Sequence, residues 1–116
     1  MNHICAYDTK NELMGLQQFI SILTPTRIGM LTDGPTEFEE KTVSAHFEYL
    51  KKLEKKGIVL LAGRTLTEDE KTFGVVIFLA KDMDEARQIT ANDPVIINRV
   101  MKAEAFPFRI ALPQDE

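Results

Sequence analysis

The chain has 116 residues, 44% of them hydrophobic, which is enough to build one compact core and leaves little room for a second domain. A formal net charge of -4, from 14 basic and 18 acidic residues, disfavours a broad electropositive surface, so nucleic acid is not an expected partner. The longest apolar run, Gly74 to Ala80, falls far short of the roughly 20 residues of a membrane-spanning helix, so no membrane segment is expected.

Residues 1–16 mix polar and apolar positions without a clear period and read as an accessory tail. The lone Cys5 cannot form an intrachain disulfide, and no stretch has the order of a secretory signal; a cytoplasmic location is the expectation. A strand is predicted over Gln18 to Leu23, followed by a loop punctuated by Pro25, Gly29, Gly34 and Pro35. The strongest helical signal then runs from Thr36 to Lys56. Thr36 and Glu39 have the spacing of a capping box, and Gly57 stands where a left-handed C-terminal cap is wanted. Positions 39, 43, 46, 50 and 53 recur at helical spacing, which places His46 on the same stripe as Val43, Leu50 and Leu53.

A second strand is predicted over Ile58 to Ala62, then a polar connection from Gly63 to Thr72, then a third strand from Phe73 to Ala80. Asp82 or Asp84 can cap a helix through Ala86 and Ile89, and Asp93-Pro94 should interrupt it, because the residue before proline avoids helical geometry. Val95 to Arg99 can add one turn, and a last strand is expected over Met101 to Leu112. Pro107 lacks an amide donor and therefore calls for an edge strand or a bulge.

The order β-α-β-β-α-β predicts an α+β fold, a ferredoxin-like sandwich with two helices on one face of a four-stranded antiparallel sheet. The domain should occupy residues 17–112, with a short tail at 113–116. The third strand is apolar at almost every position, whereas an antiparallel strand with one wet face should alternate. Both faces of the sheet thus call for burial, and a homodimer through the open sheet face is the expected remedy.

The run His46 to Leu53, continuing through Gly57 to Arg64, resembles the helix and second strand of YCII-related proteins. The Phe73-Gly74-Val75-Val76-Ile77 strand, the Asp84-Glu85-Ala86-Arg87 helix and Asp93-Pro94 follow in the same order. The chain is similar, over about Gln17 to Leu112, to YciI-like members of the dimeric α+β barrel superfamily. That resemblance implies the same sandwich and sheet-to-sheet dimer, a cleft between helices and sheet, and a catalytic pair formed by His46 and Asp93.

Chemically, a carboxylate bonded to one imidazole nitrogen fixes the tautomer and leaves the other nitrogen to accept or deliver a proton. The residues alone permit a plainer reading, a core histidine bonded to a backbone carbonyl and an aspartate serving its own turn. In the predicted topology the helices run antiparallel, which brings the end of the second towards the first, where His46 lies roughly 15 Å along. Arg27 and Arg64 follow the first and second strands and are candidate substrate-binding groups that would hold an anion by bidentate bonds. Arg64 stands where many relatives carry proline, so an arginine role there belongs to a subgroup. Ser44 and Tyr49 are expected to point away from the His46 stripe, towards the surface.

His3, Cys5 and His46 lack a compact ligand spacing, so no metal is expected, and no glycine-rich phosphate or dinucleotide motif is present. The expected function is a cofactor-independent enzyme of lyase or isomerase type, moving a proton on a small polar organic molecule. Relatives in the wider superfamily, including dehydrochlorinating enzymes, agree with that class. The alternative is a non-catalytic dimeric module that binds a small ligand or a partner.

Overall fold

The computed structural model describes residues 15–113. The expectations for His3, for Cys5 and for most of the N-terminal tail fall on residues outside that range, as does nearly all of the C-terminal tail.

Strand β1 spans Gln17–Pro25 and leads into a short helix α1, Gly29–Thr32, inside the stretch where the proline and glycine signals predict a loop. Helix α2 follows over Glu37–Lys55, within a residue of expectation at each end. Its start carries the complete capping box: the Thr36 hydroxyl accepts from the Glu39 amide at 3.1 Å, and the Glu39 carboxylate accepts from the Thr36 amide at 2.8 Å. Two otherwise orphaned amides are thereby satisfied. At the other end Gly57 takes a φ of 81°, and the Ile58 amide reaches back to the Leu53 carbonyl at 2.9 Å, which closes the last turn.

Strands β2, Val59–Arg64, and β3, Gly74–Ala80, form an antiparallel pair across the predicted polar connection. Asp82 caps helix α3, Met83–Ala91, by accepting from the Glu85 amide, and Asp93 then caps a single turn α4, Pro94–Ile97. Strand β4 covers Met101–Pro107, ending five residues earlier than expected. Beyond Pro107 the chain keeps to β1 through the Phe108 amide on the Gln18 carbonyl and the Ile110 amide on the Gln18 side chain, 3.0 and 2.7 Å.

The sheet order is β2-β3-β1-β4, with every neighbouring pair antiparallel, which is the ferredoxin-like arrangement. Pro107 closes the edge strand β4, where a missing amide costs least. Phe19, Leu23, Val76, Phe78 and Ala80 point from the sheet towards the helices and pack with Leu50, Ala86 and Val95. Phe19 and Phe78 form the centre, their rings 6.1 Å apart and tilted. The opposite face carries Ile20, Ile22, Leu61, Val75, Ile77 and Phe106 at alternate register positions, an apolar patch that all four strands contribute to, with Thr24, Lys102 and Glu104 at its β1–β4 end.

The buried side of α2 is Glu39, Thr42 and Leu50. It keeps Glu39 and Leu50 of the predicted stripe and departs from it at one position, because Thr42, not Val43, faces α4, where its hydroxyl accepts from Asn98 Nδ2 at 3.0 Å. Val43 is left 39% exposed on an open groove.

Candidate functional site

Asp93 sits between α3 and α4, and its carboxylate serves both. Oδ1 accepts the Val95 amide at 3.0 Å as the N-cap of α4, where Pro94 occupies the first helical position that needs no donor. The cap fixes the carboxylate's direction, and that direction is towards α2. His46 Nδ1 lies 2.7 Å from Oδ2 and 2.9 Å from Oδ1. The Asp93 side chain is only 5% exposed and that of His46 18%, so the pair is shielded from water on the aspartate side and open on the histidine side. With the carboxylate accepting the Nδ1 proton, Nε2 of a neutral ring carries the free lone pair. One Asp93 side chain thus caps a helix and bonds an imidazole.

His46 lies on the wall of a groove of about 970 Å³ that runs between α2, the α1 segment and the far ends of β2 and β3. Leu23, Val76 and Met101 form its floor. Glu40, Val43, Ser44 and Phe47 form one side, a stripe at i, i+3, i+4 and i+7 that was present in the sequence beside the one assigned to the core. Ser44 is exposed, as expected, and its exposed side lines the groove.

Arg64 also lines the groove. It arrives there through an irregularity in β2: the register slips between Val59 and Leu61, so Val59 pairs with Phe78 while Ala62 and Arg64 pair with Val76 and Gly74. All three partners belong to the helix-facing side. A regular strand would turn positions 59, 61 and 63 to that face and send Arg64 to the other. Gly74 opposite Arg64 leaves space above the sheet, since a Cβ there would come within 3.8 Å of the arginine Cβ and 3.3 Å of the Gly63 carbonyl. The connection at 65–73 is braced by threonine hydroxyls: Thr72 donates to the Thr67 carbonyl at 2.7 Å, and the Thr65 hydroxyl accepts the Phe73 amide at 3.2 Å. This bracing holds Glu68 and Phe73 at the groove's edge.

Arg27 is placed differently from its expected role. It does not line the groove; its guanidinium grips Glu39, with Nε 2.8 Å from Oε2 and Nη2 2.7 Å from Oε1, and it reaches the Gly34 carbonyl at 3.3 Å. Glu39 faces this fork because the capping box already directs its carboxylate back to the helix start. The Arg27 bonds, with the Thr36 amide second, hold the Glu39 carboxyl down from 4.5 to about 2. The guanidinium also lies against Gly29, where any side chain would collide with it. Arg27 thus ties together the segment whose Met30 and Leu31 form the groove's outer wall.

Tyr49 is likewise not a surface group. It is half-buried, and its hydroxyl donates to the Ile89 carbonyl at 2.6 Å, joining α2 to α3. Burial, with the nearby Asp93 charge adding to it, pushes its phenol up to about 12. Among the described residues no group of three or more His, Cys, Asp or Glu is arranged to hold a metal ion. Nor is any described helix long and apolar enough to cross a membrane.

The architecture has counterparts among solved structures. It is similar to a 5-chloro-2-hydroxyhydroquinone dehydrochlorinase from Burkholderia phenoliruptrix AC1100, solved in complex with 2,5-dihydroxybenzoquinone: 21% identity, TM-score 0.59, covering 84% of this chain and 99% of that one. It is also similar to an uncharacterized protein from Thermotoga maritima, at 14% identity and TM-score 0.52, covering 81% of this chain and 99% of that one. At such identities the likeness is one of fold. No curated protein matches the chain by sequence. The profile of the YCII-related domain, in contrast, matches residues 5–108, and by that match the chain belongs to the YCII-related domain family.

Proposed function

We propose that the protein is a cofactor-independent enzyme of lyase or isomerase type, in which His46, oriented by Asp93, moves a proton on a small organic molecule bound in the groove. The observation that carries this reading is the His46 Nδ1 to Asp93 bond, 2.7 Å to the nearer oxygen, on a groove wall. Nε2 takes a proton from a C–H or O–H of the substrate, and the electron pair stays on the substrate as an enolate or oxyanion. The buried carboxylate balances the imidazolium. The proton then returns to another atom in an isomerisation, or a leaving group departs with its electron pair in an elimination. Arg64 supplies positive charge for the transient anion. The dehydrochlorinase similar in fold supports the reaction class, since its name describes an elimination.

We further infer that the working unit is a two-fold homodimer joined through the outer sheet face, where Leu61 is 54% exposed and Phe106 40%.

The test of the mechanism is a turnover screen of small organic acids and of halogenated or hydroxylated cyclic compounds, with wild type beside two variants. His46→Gln and Asp93→Asn should each lower turnover by about 100-fold or more while circular dichroism stays unchanged. Equal turnover in folded variants rejects the mechanism. Ligand binding without turnover in wild type points to the binding-module reading.

A further inference from the structure

The groove is more apolar than a site for a small polar molecule requires. Phe47 is 57% exposed, Phe73 40% and Val43 39%, and all three face into it above the floor residues Leu23 and Val76. Two rings and a branched side chain left half in water are covered when a ligand with an apolar body lies between them.

The charges on the wall narrow the choice. Among the described residues lining the groove, Arg64 is the one cation, while Glu40 and Glu68 are two carboxylates. Lys51, whose ammonium lies 5.0 Å from the Phe47 ring centroid, is paired with Glu48 at 3.6 Å, so a dianion entering still meets more like charge than opposite charge. A neutral hydroxyl meets neither cost, and becomes an anion only when its proton has moved to His46 Nε2.

We propose that the groove takes a ring-bearing molecule with an apolar body and one weakly acidic hydroxyl, a phenol or an enol, in place of a small polar acid. Val43, Phe47 and Phe73 cover the ring, and the hydroxyl is presented to His46. When the O–H bond breaks, the proton goes to Nε2 and the electron pair stays on oxygen, where Arg64 is the available counter-charge. The assignment rests on reading this groove as the substrate site, but ring binding does not require that proton transfer lead to turnover.

The experiment is equilibrium titration of the full chain with 2-naphthol, followed by ligand fluorescence, beside calorimetric titration with malonate. 2-Naphthol should bind at least about tenfold more tightly than malonate. Phe47→Asp and Val43→Asp, both at exposed positions, should each weaken 2-naphthol about tenfold, and Arg64→Ala several-fold at a pH where the bound hydroxyl ionises. Two independent aspartate variants keep the test valid if one of them fails to fold. His46→Gln should weaken 2-naphthol several-fold, because the hydroxyl loses its imidazole acceptor while the ring contacts remain. Malonate binding as tightly as 2-naphthol overturns the proposal, and so does 2-naphthol affinity untouched in both folded aspartate variants. If 2-naphthol binding weakens as protein concentration rises, a second copy covers the groove and the proposal is likewise overturned. Tight 2-naphthol binding with no turnover of any compound leaves the ring site standing and removes the proton-transfer mechanism, so the two failures are distinct.

Discussion

Asp93 carries two tasks that separate under mutation. Asparagine caps a helix about as well as aspartate, so Asp93→Asn should retain the bond to the Val95 amide and melt close to wild type while turnover falls. Asp93→Ala loses the cap as well, and a thermal melt should register a cost of about 1 kcal/mol or more in addition to the lost activity. Tyr49 offers an independent check on the helix pair. Its phenol, raised from 10.0 to about 12, favours the neutral form in the folded state. The stability this contributes is full below pH 10 and is lost as pH rises from 10 towards 12. Alkaline melts of wild type should therefore fall more steeply across that window than those of Tyr49→Phe. At neutral pH the variant should be about 1 kcal/mol less stable, because the Ile89 carbonyl loses its donor.

At the scale of elements, the groove's outer wall depends on an ion pair rather than on packing alone. Helix α1 has only four residues and buries none of its side chains fully, so the fork from Arg27 to Glu39 and the bond to the Gly34 carbonyl hold it in place. Glu39 has its carboxyl depressed from 4.5 to about 2, so its contribution is present above pH 4.5 and disappears as pH falls through that interval. Melting temperatures of wild type and Glu39→Gln should differ at neutral pH and converge between pH 4.5 and 2; a constant gap would show that the ion pair does not hold the wall. The same logic explains why Arg27 does not line the groove. The capping box directs an acidic partner at it first, and a bidentate carboxylate match satisfies the guanidinium.

At the scale of the whole molecule, one face of the sheet is covered by α2 and α3 and the other is not. Ile20, Ile77 and Leu61 lie in register across β1, β3 and β2 on that open face, and Phe106 pairs with Ile20 from β4. Sedimentation should find wild type as a dimer at micromolar concentration. Ile77→Lys, pointing away from the monomer's own core, should yield a folded monomer. A monomeric wild type under those conditions would leave the open face without its inferred partner.

The local elements were legible because each is governed by neighbours in the chain. Thr36, Glu39 and Gly57 bound α2, Asp82 and Asp93 start α3 and α4, and the unbroken apolar run of β3 announces a strand apolar on both faces. The His46–Asp93 pair was legible only through family resemblance, since 47 residues separate the partners and spacing carries no information about their contact. What tertiary structure alone decided is the direction of side chains around that pair. The slipped register in β2 turns Arg64 into the groove, although strand alternation from Val59 would send it to the opposite face. Arg27 is drawn to Glu39, and Thr42 takes the buried place expected of Val43, which is left on the groove. Caps and periodicity are local and can be read along a chain. The face a bulged strand presents, and the charge an arginine meets first, depend on contacts that exist only after folding.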